Sequence, residues 1–188
     1  EDVLDTRLTV AYGYDINNRL TSRIATCGPC EKADATWTYT PTGRRATATY
    51  QIPGALPGTP ETITETYSYD VRDRISSVIA SGPSGPRSNL SYTYDANSSR
   101  KTMTRVVGGT TSTATYAYDD SSRLDTVTDT LGRIYDLSYD AVGNRTGLAY
   151  PNGAQTTYAY NTLNRLTNLS TLHAGTPIQS YAFTLGPT

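Results

Sequence analysis

The chain has 188 residues, enough for one domain with its own core, and its 16 Lys and Arg nearly cancel 17 Asp and Glu to leave a formal charge of −1. That balance argues against nucleic acid or an anionic membrane as the main partner, since both select basic surfaces. Only 36% of residues are apolar, Thr (33) and Tyr (16) are abundant, Phe, Trp and Met occur once each, and no apolar run approaches the ~18 residues that cross a bilayer, so the composition reads as β-sheet rather than helix.

One pattern recurs along the chain: two aromatics at i and i+2, then Asp, then Arg five or six residues after the second aromatic. It appears as Tyr12-Gly-Tyr14-Asp15 with Arg19, then as Trp37-Thr-Tyr39-Thr40 with Arg45. Tyr67-Ser-Tyr69-Asp70 with Arg74 and Tyr92-Thr-Tyr94-Asp95 with Arg100 follow. Next come Tyr116-Ala-Tyr118-Asp119 with Arg123, Leu137-Ser-Tyr139-Asp140 with Arg145, and Tyr158-Ala-Tyr160-Asn161 with Arg165. An eighth copy opens at Tyr181-Ala-Phe183-Thr184. Fifteen of the eighteen aromatic residues fall in these dyads, which chance does not produce. Copies one, three, five and seven place Arg five residues after the second aromatic and follow it with Leu or Ile; copies two, four and six use six residues.

Each copy has a physical reading. Aromatics at i and i+2 point to one face of a strand, and the residue between them is always small. Asp at the strand's end suits the first position of a tight turn, where its carboxylate accepts backbone N–H groups. Three residues later stand Asn18, Gly43, Asp73, Ser98, Ser122, Gly143 and Asn164, residue types suited to a left-handed conformation. A second strand leaves each turn, and opposite turns are predicted at 129–132 and 151–153. The fold class expected is all-β: seven hairpins and one further strand, about fifteen strands in a continuous antiparallel meander.

These copies resemble the YD-repeat, or RHS-repeat, family over nearly the whole chain, from about Tyr12 to Phe183. The family includes bacterial rearrangement-hotspot proteins, the B and C components of insecticidal toxin complexes, and teneurins. The resemblance implies β-hairpins spiralling as part of a hollow shell or tube, bacterial in origin, that is secreted or displayed at a cell surface. No DPxGL-type core motif, which the resemblance links to self-cleavage, occurs in this chain, and Thr40, Asn161 and Thr184 replace the signature Asp. What carries over is the scaffold, with no catalytic part.

Fifteen strands at ~4.8 Å span roughly 72 Å, which closes into a tube about 23 Å across. A folded 100-residue cargo exceeds ~30 Å in diameter, so this segment alone does not enclose one. A slice of a larger shell, a narrow tube or a unit of a fibre is expected, its C-terminal strand paired edge to edge with further repeats or another copy. The chain starts at Glu1 with neither an initiator Met nor a cationic-then-apolar leader, which predicts a processed chain or a piece of a longer one. Residues 52–61, 81–87 and 108–112 are Pro- and Gly-rich and read as longer hairpin loops within one domain, 1–188.

Candidate chemistry is sparse. Cys27-Gly-Pro-Cys30 matches the redox site of thioredoxin-like proteins but lacks βαβ surroundings; a disulfide clipping a loop is the favoured reading, with redox activity and half a zinc site as alternatives. His173 stands alone in an expected loop, and no nucleophile elbow or phosphate loop occurs, so no enzyme, cofactor or metal is expected. Arg outnumbers Lys by 14 to 2, and half of the Arg are repeat arginines. They suit stacking on Tyr and pairing with carboxylates, either as ladders that hold the sheet or as a Tyr/Arg face for glycans or a protein partner. Sequons at Asn89, Asn97, Asn144 and Asn168 are candidate glycosylation sites.

Overall fold

The computed structural model describes residues 8–26, 34–52, 59–184 and 186, and all regular structure in them is β. The strands are β1 (Thr9–Tyr14), β2 (Leu20–Thr26), β3 (Ala35–Tyr39), β4 (Arg45–Ile52), β5 (Glu61–Tyr69), β6 (Ile75–Gly82), β7 (Gly85–Tyr94) and β8 (Arg100–Val107). They continue as β9 (Thr110–Tyr118), β10 (Leu124–Thr128), β11 (Ile134–Tyr139), β12 (Arg145–Ala149), β13 (Ala154–Tyr160), β14 (Leu166–His173) and β15 (Thr176–Ala182). Sheet order equals chain order from β1 to β15, the all-β hairpin meander that the repeats predict. The chain forms two compact units, residues 1–92 with 104–111 and residues 93–103 with 112–188.

Every repeat turn is built the same way. In the first unit Asn18 N–H donates to Asp15 O at 2.9 Å, and Asp15 N–H donates to Arg19 O at 3.0 Å. This is a four-residue turn closed by a residue at positive φ, and the ladder slips by one residue beside it, between Gly13 and Tyr14. Asn18, Gly43, Asp73, Ser98, Ser122, Gly143 and Asn164 all take positive φ, as the turn chemistry requires. The same slip recurs beside Tyr39, Tyr69, Tyr139 and Tyr160, so the repeat fixes the register.

Two of the expected long loops are corrected. Strand pairing continues through 81–87 to the facing residues Gly82 and Gly85, leaving a two-residue turn. At 108–112 the turn is Gly108-Gly109, with φ of 53° and 77°, the two-residue type that matches strand twist. His173 likewise is no loop residue: it ends β14 opposite Thr176, ahead of an Ala174-Gly175 turn of the same type. The third stretch lies mostly at 53–58, outside the described residues.

Strand alternation puts each dyad on one face, and the rings of copies two to seven are half-buried while the small residue between them is exposed. Ala25, Ala48, Ile63, Ala154, Thr156 and Thr171 are buried, and register and alternation place all six on that same dyad face. The opposite face carries cross-strand threonine pairs, Thr38–Thr47 at 2.7 Å and Thr49–Thr64 at 3.1 Å. Hydroxyl hydrogen bonds thus support the thin side, while rings, small apolar residues and the buried Thr156–Thr171 pair, at 2.9 Å, support the other.

Candidate functional site

The repeat signature is the site-like feature of this molecule, and the structure gives most of its polar groups a partner within the repeats. In the first, third and fifth copies the turn Asp is a clip. Asp15 Oδ1 accepts the N–H groups of Asn17 and Arg19, both at 2.9 Å, and Oδ2 accepts Arg19 Nε at 2.7 Å. Asp70 does the same with Arg72 and Arg74, and Asp119 with Ser121 and Arg123. The Arg19 and Arg74 side chains hold Asp15 and Asp70 below the usual carboxylate range, helped by the backbone N–H of the same residues. For Asp119 the Arg123 backbone N–H leads and its side chain adds to the effect.

The alternation in spacing has a structural cause. In even copies the residue four after the turn Asp is not the signature Arg. Asn144 takes that place, donating through its N–H and Nδ2 to Asp140, which is lowered by the Asn144 side chain first. Arg145, one residue on, lies 4.3 Å from the ring centroid of Tyr158, the first aromatic of the next dyad. Arg45 sits over Tyr67 and Arg100 over Tyr116 in the same manner, at 5.8 and 5.5 Å. Odd-copy arginines instead reach the second aromatic: Arg19 over Tyr39 at 4.5 Å and Arg123 over Tyr139 at 4.7 Å.

The second aromatic also ties hairpins together. Tyr39 Oη donates to Leu20 O at 2.7 Å, Tyr69 to Arg45 O at 2.8 Å, and Tyr118 to Arg100 O at 3.0 Å. Tyr139 donates to Leu124 O at 2.8 Å and Tyr160 to Arg145 O at 3.0 Å. In each case the acceptor is the first residue of the preceding hairpin's second strand. The main-chain ladder between hairpins stops short of that point, as where β2 and β3 pair only through Ser22–Thr36 and Arg23–Ala35. A tyrosine side chain spans the remaining gap.

The departures from the signature are compensated locally. Thr40 Oγ1 accepts Arg44 N–H at 3.0 Å, and Arg44, with no local carboxylate, pairs with Asp73 of the next hairpin at 2.7 Å. Asn161 Oδ1 accepts Leu163 and Arg165 N–H, both at 3.0 Å, while Arg165 Nη1 donates to Gly186 O at 3.2 Å. Tyr12, Tyr14, Tyr181 and Phe183 are exposed, whereas Trp37, Tyr92 and Tyr94 are half-buried.

Sequence reading missed one clip. Asp129 Oδ1 accepts Leu131 and Arg133 N–H, and Oδ2 accepts Arg133 Nε at 2.6 Å, at the opposite end of the hairpins. No aromatic dyad precedes it, but its Asp-x-x-Gly-Arg spacing is the odd-copy turn and would have found it. Also missed was Glu65, which accepts from Tyr50 at 3.0 Å and from Tyr67 at 2.5 Å. Burial raises both phenols, and the bonds to Glu65 add to it. Arg87, expected in a loop, belongs to β7 and pairs with Glu61.

The other candidates separate. Cys27 and Cys30 lie outside the described residues. His173 Nε2 bonds Asn152 O at 2.9 Å. Of the sequons, Asn97 is exposed in a turn, Asn89 and Asn168 are half-buried in strands, and the Asn144 amide is already bonded to Asp140 and to Asn164 Oδ1. Among the described residues no group of three or more His, Cys, Asp or Glu is placed to hold a metal, and no helix is long and apolar enough to cross a membrane.

Repeated clips, alternating arginines and tyrosine ties define a tandem β-hairpin repeat protein. Residues 118–155 and 139–175, a little under a third of the chain, match the RHS Repeat family model. No curated protein matches it. Similar solved structures include TcdB2-TccC3-Cdc42, at 11% identity over 88% of this chain and 12% of that one, with a TM-score of 0.37. A porin-like protein from Bacteroides uniformis is 14% identical over 93% of this chain and 86% of its own, with a TM-score of 0.44. The Photorhabdus luminescens Tc holotoxin pore is 15% identical over 94% and 13%, with a TM-score of 0.30. The chain thus spans about an eighth of the first of these structures.

Proposed function

We propose that this chain is a non-catalytic structural scaffold, a run of RHS repeats forming part of a larger secreted or surface-exposed bacterial shell or fibre. The supporting observation is where the signature side chains are spent. The clip carboxylates close turns, the arginines lie on the next hairpin's rings, and the second tyrosines bond the previous hairpin's carbonyls. A signature whose polar groups are consumed by its own neighbours builds a wall, and each hairpin needs the next to complete its contacts.

The same logic extends to the last strand. β15 stands at one end of the sheet order, all of its residues are exposed, and its sequence TPIQSYA carries no charge. Such an edge presents unpaired N–H and C=O groups without the charge that normally blunts them. In the native object it pairs with a further strand, from more repeats or from another copy. Size-exclusion chromatography with light scattering and electron microscopy test this on the 188-residue chain: concentration-dependent assembly is expected, and Ser180→Pro should abolish it, since the N–H of Phe183 faces β14 and that of Ser180 alternates to the free edge. A stable monomer at all concentrations would refute the edge pairing.

A further inference from the structure

We propose that the groove between the fourth and fifth hairpins is a seat for the guanidinium group of a partner polypeptide's arginine. The chain itself shows what this seat takes. The residue four after the turn Asp fills the space between that carboxylate and the second aromatic of the next dyad. Arg19 does so between Asp15 and Tyr39, and Arg123 between Asp119 and Tyr139. In the fourth copy that residue is Ser99, which gives Asp95 only its backbone N–H, at 2.8 Å.

A second interaction is lost at the same place. Where an even copy meets an odd one, this residue also bridges to the positive-φ residue of the next turn: Arg44 to Asp73 at 2.7 Å, and Asn144 to Asn164 at 3.0 Å. The equivalent pair here is Ser99 and Ser122, two side chains too short to span the same gap. Both instead line a cavity of about 560 Å³ together with Asp95 and the rings of Tyr94, Tyr116 and Tyr118. The corresponding groove in the other unit, tied by Arg44 and Asp73, is about 430 Å³.

Chemistry selects the occupant. A planar cation satisfies the Asp95 carboxylate through paired N–H donors while lying on a tyrosine face, which a lysine ammonium does less well. Asp119 in the same groove is already neutralised by Arg123, so Asp95 is the carboxylate that recruits the ligand. Lys101 also lines the groove and opposes a cation there, but it is exposed and its flexible stem can turn to solvent.

The test is titration of the isotope-labelled chain, followed by amide chemical shifts, with the peptide acetyl-Gly-Arg-Gly-amide and its Lys counterpart. Saturable shifts confined to residues 95–101 and 116–122 are expected, with millimolar affinity and preference for the Arg peptide. Ser99→Arg places an internal guanidinium in the seat and should abolish the shifts. Asp95→Asn keeps the turn, as Asn161 does in the seventh copy, and should weaken binding about tenfold. Lys101→Ala should tighten it. Absence of saturable shifts, equal binding of the Lys peptide, or undiminished binding by Ser99→Arg would overturn the seat. None of these outcomes bears on the scaffold reading.

Discussion

Arg44 donates its Nε to Asp73 across 29 residues of sequence, at 2.7 Å, because Thr40 stands where a clip carboxylate would have held it. The Arg44 guanidinium is raised by this hydrogen bond first and by the Asp73 charge second. Restoring the signature with Thr40→Asp should return Arg44 to its own turn. The coupling between Arg44→Ala and Asp73→Ala, read from a double-mutant cycle of thermal melts, should then fall toward zero. Both ends are more than a third exposed, at 53% and 42%, so each single substitution should move Tm by only about 1–3 °C. Unchanged coupling in the Thr40→Asp background would contradict the exchange of partners.

The tyrosine ties make a sharper claim. Tyr139→Phe removes only the hydrogen bond to Leu124 O and keeps the ring under Arg123, so a loss of about 1 kcal/mol is expected. Tyr14 is 58% exposed and is not among the tyrosines that bond a preceding strand, so Tyr14→Phe should be nearly neutral. Urea denaturation of both variants separates them, and equal effects would remove the phenols from the account of hairpin cohesion.

Much of this was legible beforehand, for identifiable reasons. A period-two dyad, a turn Asp and a residue suited to positive φ are local requirements, so Tyr67, Tyr69, Asp70 and Asp73 could be placed without a structure. Which ring each arginine lies on could not, because that ring belongs to the next hairpin. The five- and six-residue spacings of Arg123 and Arg145 were visible as an alternation, but the choice of second or first ring is set by cross-hairpin register. The 81–87 and 108–112 segments were misjudged because Gly and Pro mark a turn without giving its length. Two residues suffice when both central positions take positive φ, as at Gly108 and Gly109.

Arg123 combines three contacts: the Asp119 clip, the Tyr139 ring and a bond from Nη1 to Asp140 O at 3.2 Å. Arg123→Ala should cost about 1–2 kcal/mol. Arg87, in its ion pair with Glu61, makes a poor control, whereas Arg105 is exposed in β8. Arg105→Ala should fall within about 0.5 kcal/mol of the parent. Equal thermal shifts for Arg123→Ala and Arg105→Ala would deny the repeat arginines a structural role.

The clips also set the response to acid. Asp15, Asp70 and Asp119 are held below the ordinary carboxyl value by their arginines, and Asp129 by the Arg133 backbone and side chain against the opposing effect of burial. A carboxyl that binds a proton less readily folded than unfolded stabilises the fold fully above its unfolded value of about 3.9. That contribution is lost as pH falls through the lower folded value, because protonation then favours the unfolded chain. Stability should therefore hold from neutral pH to about 5 and decline below about 4. The triple variant Asp15→Asn, Asp70→Asn, Asp119→Asn retains the turn geometry that Asn161 demonstrates but carries no carboxyl to titrate at these turns. Its melting temperature at neutral pH should be lower than that of the parent, and its acid decline shallower, so that the two curves converge near pH ~2. Parallel acid limbs in the two proteins would show that the clips do not govern the acid response.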